Sequence, residues 1–550
     1  MRFGGRRLDG WTLVAVVLTV GYLLVAVWPL LNVLANSVTD GSGISFDGFI
    51  TFFTSARYYT TLVNSLAVTV TVTILSLLVA FPLAYFMTMY RVHGNRTIQV
   101  LILASMMSPP FIGAYSWILL LGNNGMITGW FKSALGIEVP SIYGFGGIVL
   151  VLTLQLVPLI FTYLMGAWKT IDVSLLEASE SMGVVGAKRA LTVIMPLLWP
   201  TVLAGSLLVF VRAFADFGTP MLIGRGYQTV PVLIYNAAVG EVSTDTGFAA
   251  AVSVIVIALT LGVFLVQKWI AGRKSFSMSA MRPIEPVRAG MWRSIGIHAY
   301  VYVYVLLALA PLAVVVGSSF RKTSYGQFTE GWGVENYTKA SRDMWKFIGN
   351  TFALGLSALA LLVVVAVLVS YLSVRRRGWL ASTLDTMTMV PYVVPGLIIG
   401  IALIAAFSHP PLMLTGTAVI MVIALMIRRV PYSVRSITAL MYQVPASVEE
   451  AAMSLGASKF RTLVRIVVPA LAPGIISGAV LSWVTIITEL STTLFLYTTK
   501  TQTLSLGIYS SVIRGQLGTA AALSTVLLVL TALSLVLLMR LPGGTKNLQV

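Results

Sequence analysis

Two of the 18 acidic residues, Asp216 and Glu489, stand at the ends of apolar runs and occupy equivalent places in an internal repeat. A carboxylate at such an edge is costly to bury and tends to face a cavity, so contact with a cation is the chemistry it suggests. The competing reading is that each carboxylate caps the end of its segment beside Gly218-Thr219 or Ser491-Thr492. Arg428, Arg429 and Arg435 lie inside another apolar run, where a guanidinium needs a partner or water. They are expected to reach the cytoplasmic mouth of their span, with binding of an anionic ligand as the alternative. Their counterparts in the first half are Gln155, Leu156 and Thr162, so this charge belongs to one half only. Cysteine is absent, and His93, His298 and His409 are scattered, which leaves no metal site to assign. Nor is there a G-x4-GK[ST] loop; Gly456-Ala-Ser-Lys459 lacks the second glycine. The sequence therefore predicts no enzyme, no ATP hydrolysis by this chain alone and no resident cofactor.

The elements that must position these residues are apolar helices. Of the 550 residues, 57% are hydrophobic and 10% charged, against about a quarter charged in an ordinary soluble domain. Apolar runs long enough to cross a bilayer recur along the chain, predicting an all-α polytopic membrane protein. Spans are expected near 11–36, 62–90, 98–121, 146–168, 194–216 and 247–271, then near 295–318, 348–374, 379–408, 412–440, 470–490 and 515–541. The first is too long for a signal peptide and is read as an uncleaved anchor. The net charge of +18 is carried mostly by residues flanking the spans, which makes it a topology signal rather than a nucleic-acid surface. With about 12 spans both termini share one side, and Arg2, Arg6 and Arg7 place that side in the cytoplasm.

The halves match at offsets of 273 to 286 positions. Val157-Pro158, Pro196, Pro200 and Asp216 map to Val430-Pro431, Pro469, Pro473 and Glu489; Met107, Pro109, Asn64 and Tyr85 map to Met389, Pro391, Asn350 and Tyr371. An even span number per half makes the repeats parallel. Expected bounds are 1–272 for the first six-helix half, 273–293 for a cytoplasmic linker and 294–550 for the second half. The clearest polar match is on the cytoplasmic side, near 170–192 and 443–466. Ser174 with Glu177, and Ser447 with Glu450, have the spacing of capping boxes. Gly183 and Gly456, six residues beyond each Glu, suit left-handed helix ends. Each half would thus present a short helix, a tight turn and a basic second helix. A helix lying on the lipid surface is the competing reading, weakened by the presence of two copies in one register.

At these residues the chain resembles ABC-importer permeases: EASESMG (Glu177–Gly183) and EAAMSLG (Glu450–Gly456) are similar to their cytoplasmic EAA loop. The resemblance implies that Glu177, Ala178 and Gly183, with Glu450, Ala451 and Gly456, dock and couple two ATPase domains, which carry the ATP and Mg. It further implies an extracytoplasmic solute-binding protein and a bacterial-type inner membrane. MSPPFIGAYSW (Met107–Trp117), DFGTP (Asp216–Pro220) and ITELSTTLFLY (Ile487–Tyr497) resemble fused permeases of ferric-iron importers. Asp216, Glu489, Arg428 and Arg429 are then candidates for the substrate pathway. Relatives for phosphonate, sugar phosphate, polyamine or thiamine share the loops and remain alternatives, as does an ion-coupled secondary transporter from a different class. Against the latter stand the paired docking loops and the lack of a sequence case for discontinuous helices.

Overall fold

The computed structural model describes residues 2–3, 6–7, 10–40, 43–106, 110–168, 171–239, 245–273, 282, 284–376 and 378–539. Met107 and Pro109 of the repeat, and positions 274–281 and 283 of the expected linker, lie outside the described residues. Among those described, eight helices are long and apolar enough to cross a membrane: Gly10–Ser37, Ala56–Met89, Phe145–Trp168, Ala190–Phe214, Thr246–Gln267, Met291–Ser319, Glu335–Arg375 and Leu517–Leu537. The number rises to 11 if each of three bent helix pairs is one span. The 24-residue helix Ala418–Met441 is outside that set because Arg428, Arg429 and Arg435 fall within it.

Proline places the irregularities. The span expected near 379–408 is built of two helices, Trp379–Val393 and Gly396–Phe407, bent by 113°. Val394 precedes Pro395 and is extended (ψ 129°), as a pre-proline residue prefers, and Pro395 has no amide hydrogen to continue the ladder. A second break, of 71°, separates Lys459–Ala470 from Ala472–Ile487. Discontinuous helices are therefore present, contrary to the sequence expectation. Three π-helical turns, Leu23–Val27, Ala190–Ile194 and Leu463–Val467, each end two residues before a proline: Pro29, Pro196 and Pro469. The missing proline amide frees a carbonyl in the preceding turn, which widens to accommodate it. The second and third of these turns sit 273 positions apart, so the repeat extends to backbone irregularity.

Two compact units form. One comprises the described parts of Met1–Phe49, Ala237–Val254 and Ser319–Gln549; the other comprises Ile50–Asn236 and Ile255–Ser318. The first long helix of each sequence half thus belongs to a unit built mainly from the other half. In the first unit Glu335–Arg375 packs along Ala418–Met441, which also receives Ala472–Ile487. Gly478 permits that last contact, since a Cβ there would lie 2.7 Å from the Ser433 Cα. Trp28–Ser37 lies on Gly396–Phe407. In the second unit Ala56–Met89, Phe145–Trp168 and the Met195–Phe214 part of Ala190–Phe214 pack together around buried Val72, Leu83, Ile148, Val157, Leu164 and Val209. Tyr300 of Met291–Ser319 donates its hydroxyl to the Val79 carbonyl at 3.0 Å.

Candidate functional site

The two loops that carry the sequence repeat have the same backbone exit. The helix Val173–Ser181 ends at Gly183 (φ +73°), and Ala446–Ser454 ends at Gly456 (φ +86°). Val184 N donates to Ser179 O at 2.9 Å and Gly183 N to Glu180 O at 2.9 Å; Ala457 N donates to Ala452 O at 3.0 Å and Gly456 N to Met453 O at 3.0 Å. These bonds satisfy the last carbonyls of both helices and turn the chain sharply, as the glycine spacing predicted.

Their entrances differ from expectation. Neither capping box forms. Asp172 is the N-cap of the first helix, its carboxylate accepting the Ser174 amide hydrogen at 2.9 Å, so Ser174 lies inside the first turn. The second helix follows Pro445, whose φ of −63° sets the entry without a side-chain cap, and Ser447 is again inside. Glu177 and Glu450 therefore project from the middle of their helices, and both are exposed together with Ala178 and Ala451. Apolar side chains accompany them into solvent: Leu175, Met182 and Val185 on the first loop, Val448, Leu455 and Phe460 on the second. Arg282 from the linker forks onto Glu177 with contacts of 3.3 and 3.4 Å, while its backbone amide donates to Asp172 Oδ2 at 3.1 Å. Only its basic character pointed to Arg282 in the sequence.

The paired carboxylates also share a backbone role. Asp216 Oδ1 accepts the Thr219 amide hydrogen at 2.9 Å, and Glu489 Oε1 accepts the Thr492 amide hydrogen at 3.0 Å. The span-end cap is therefore present in both halves. Glu489 does more: its Oε1 also receives Arg428 Nη1 at 2.8 Å and the Thr492 hydroxyl at 3.1 Å, and its Oε2 receives Arg429 Nη2. Arg428 Nη1 further donates to Thr492 Oγ1 at 2.9 Å, and Arg429 Nη2 to Thr485 O at 3.2 Å. Glu489 and Arg429 are buried. Gly396 makes room for the cluster, because a Cβ there would overlap the Arg428 guanidinium and Thr492.

For Arg428 and Arg429 the partner is thus a carboxylate, where the expectation was that the arginines reach the cytoplasmic mouth of their span. Arg428 and Arg429 turn to Glu489, since a buried guanidinium gains far more from a carboxylate within reach than from distant water. Arg435, one to two turns further along, pairs with Asp385 at 3.3 Å and is exposed. In the first half Gln155 takes the position of Arg428, and its buried Oε1 has no hydrogen-bond partner beside a small cavity of about 30 Å³ lined by Ser105, Trp117 and Val151. Among the described residues, no three His, Asp or Glu side chains gather as a metal site.

Comparison with known proteins places these features. The family profile described as binding-protein-dependent transport system inner membrane component matches twice, at residues 80–276 and 363–541. The chain is 28% identical over 535 residues to the ferric transport system permease protein FbpB of Actinobacillus pleuropneumoniae, covering 94% of this chain and 76% of the relative. It is 27% identical over 509 residues to the putative ferric transport system permease protein FbpB 1 of Haemophilus influenzae (89% and 78% covered). A putative 2-aminoethylphosphonate transport system permease protein, PhnU of Salmonella typhimurium, is 26% identical over 251 residues, covering 45% of this chain and 87% of the relative.

Proposed function

The chain belongs to the family of inner-membrane components of binding-protein-dependent transport systems, the permeases of ATP-driven importers, and from that premise we propose that it moves ferric iron into the cytoplasm. In this reading its 12 spans form two parallel sets of six, bounded as 1–272 and 294–550, with both termini cytoplasmic. An external binding protein delivers the cargo; two ATPase domains close beneath the permease and supply the ATP and Mg chemistry. The observation that carries the reading is the duplicated docking loop: two short helices ending in left-handed Gly183 and Gly456, each with apolar side chains exposed beside Glu177 and Ala178 or Glu450 and Ala451. Such a pair of surfaces suits two copies of one partner fold. Iron as cargo rests on the names of the relatives that cover most of the chain.

Asp216, Glu489, Arg428 and Arg429 would line the route at the span ends. Glu489 is saturated by donors, so the route handles iron without a closed ligand cage. The cluster of two guanidiniums around one carboxylate favours a second reading, an anionic cargo such as a phosphonate. The test is uptake of radiolabelled ferric iron by vesicles holding the permease, its ATPase and its binding protein, beside uptake of labelled 2-aminoethylphosphonate. ATP-dependent accumulation of iron supports the first reading; accumulation of the phosphonate alone replaces it with the second. Failure of an ATPase subunit to co-purify with the permease would remove both.

A further inference from the structure

Resting on the docking role proposed above, the second loop is attached through a buried carboxylate of the docking helix itself, whereas the carboxylate paired in the first loop is exposed. Glu449, the neighbour of exposed Glu450, turns inward and is buried. Its Oε1 receives Arg375 Nε at 2.6 Å and its Oε2 receives the Tyr371 hydroxyl at 3.1 Å. Arg375 Nη2 donates to Val444 O at 2.6 Å, so one guanidinium clasps the docking helix on both sides of Pro445. Trp11 lies against the Tyr371 ring, centroids 4.7 Å apart.

In the first half the tyrosine persists as Tyr85, but its arginine comes from elsewhere: Met89 stands at the place of Arg375 and Leu176 at the place of Glu449, both buried, while Arg189 from beyond the glycine turn meets Tyr85 and reaches the exposed Glu180 at 3.3 Å. An apolar seat is non-directional and tolerates sliding, whereas a charge-assisted, multidentate clasp fixes distance and orientation. What the clasp grips is also distinctive. Glu335–Arg375 is a continuous helix of 41 residues, about 60 Å at 1.5 Å per residue, without an internal proline. Its counterpart Ala56–Met89 contains Pro82. The far end of the long helix is tied to a hairpin, Arg321–Ser324 with Gln327–Trp332, where Asn336 accepts from Thr323 Oγ1 at 2.7 Å and donates to Ser319 O at 3.0 Å.

We propose that Arg375 is a positioning residue that locks the second docking helix to this rod, so that displacement of Ala446–Ser454 by its ATPase reaches the Gln327–Trp332 hairpin as one rigid movement. The second half then carries the stroke between the two faces.

The test uses the full transporter, permease with ATPases and binding protein, in nanodiscs. Arg375→Met and Glu449→Leu should each lower hydrolysis stimulated by loaded binding protein about tenfold while the ATPase subunits still co-purify. The reversed pair Arg375→Glu with Glu449→Arg should recover a substantial part of it. In wild type, trapping the ATP-bound state should change hydrogen exchange in both 446–456 and 327–332; in Arg375→Met only the first should respond. Full stimulation in both single variants, or an undiminished ATP-linked change at the hairpin in Arg375→Met, would overturn the proposal. If the single variants do not assemble, Arg375→Lys keeps the charge but loses the two-sided grip, and wild-type hairpin response in it overturns the proposal equally. Absence of ATPase binding in wild type would instead strike the docking reading itself.

Discussion

Asp216 and Glu489 sit 273 positions apart and accept the same backbone hydrogen bond, from Thr219 and Thr492, yet only Glu489 is roofed by guanidiniums. Where the second half places Arg428 and Arg429, the first has Gln155 and Leu156. The shared bond caps the turn that follows each span, where Gly218–Ile223 or Thr493–Leu496 begins, and survives the change from Asp to Glu, because the longer side chain can still reach the amide three residues on. The added charge is a separate layer built on that cap. A duplicated architecture can thus keep its backbone devices in both copies while concentrating buried electrostatics in one, and the Arg375–Glu449 clasp follows the same division.

The comparison breaks most visibly if one carboxylate at a time loses its charge. Glu489→Gln leaves two guanidiniums without a counter-charge in a buried site, a loss of about 3–5 kcal/mol by analogy with other broken buried pairs. Asp216→Asn keeps an oxygen for the Thr219 amide and should cost no more than about 1 kcal/mol. Thermal unfolding of the purified permease, followed by size-exclusion fluorescence, should show a large drop for the first variant and a small one for the second. Equal drops would mean that the two sites are energetically alike despite their different partners.

The same contrast can be sharpened by giving the second half the residues of the first. Arg428→Gln, Arg429→Leu and Glu489→Asp together remove the whole ion cluster rather than half of it, and such replacement is often neutral. The triple variant should recover at least about 2 kcal/mol of the stability lost in Glu489→Gln. Its iron uptake then becomes informative: a stable permease that no longer transports ties the charge to the route, and a stable permease that transports normally assigns the cluster to structure alone. A triple variant as unstable as Glu489→Gln would contradict the ion-pair account.

Much of this arrangement was legible in the sequence, for reasons that differ by residue. Long apolar runs announce helices because bilayer-length segments must satisfy their own backbone. Gly183 and Gly456 were readable because a left-handed turn leaves few alternatives to glycine, and both have positive φ. The span-end caps were readable as a competing role because Asp216 and Glu489 each precede a threonine by three positions. Partners far apart in sequence were not. Arg428 and Glu489 are separated by 61 positions, and Arg282 and Glu177 by 105, and no local period encodes such pairings. The capping boxes failed for a local reason: Asp172 and Pro445, two residues before each serine, start the helices earlier than the serines would. The 113° bend was missed because hydropathy continues smoothly through Val394-Pro395-Gly396, although the proline itself marked the place.

The glycine turns offer the intermediate effect, equal in both halves. Gly183→Val and Gly456→Val meet no steric neighbour, since an added Cβ would have open space at either position, so any cost comes from the left-handed backbone. That cost is about 1–2 kcal/mol for a branched residue and favours a different exit from the docking helix. Each variant should reduce ATP-dependent uptake severalfold with little change in the amount of permease in the membrane. Loss of uptake from one substitution and not the other would show that the two docking turns are unequal in use as well as in attachment.

The smallest effect is expected where the first loop is tied most visibly, at Arg282. Its contacts with Glu177 are long, 3.3 and 3.4 Å, and both side chains are more than half exposed, at 66% and 56%. Solvent screening leaves such a pair about 0–1 kcal/mol, far below a buried clasp of similar appearance. Arg282→Ala should therefore shift thermal unfolding by no more than a few degrees and keep uptake within about twofold of wild type at 0.15 M salt. The direction at low salt is also fixed: reduced screening strengthens the pair in wild type, so the difference between wild type and variant should widen as ionic strength falls. A large, salt-independent loss in Arg282→Ala would show that the residue acts through its backbone neighbourhood at Asp172, where its amide is held at 3.1 Å, and that the first docking helix is secured by the linker as firmly as the second is by Arg375.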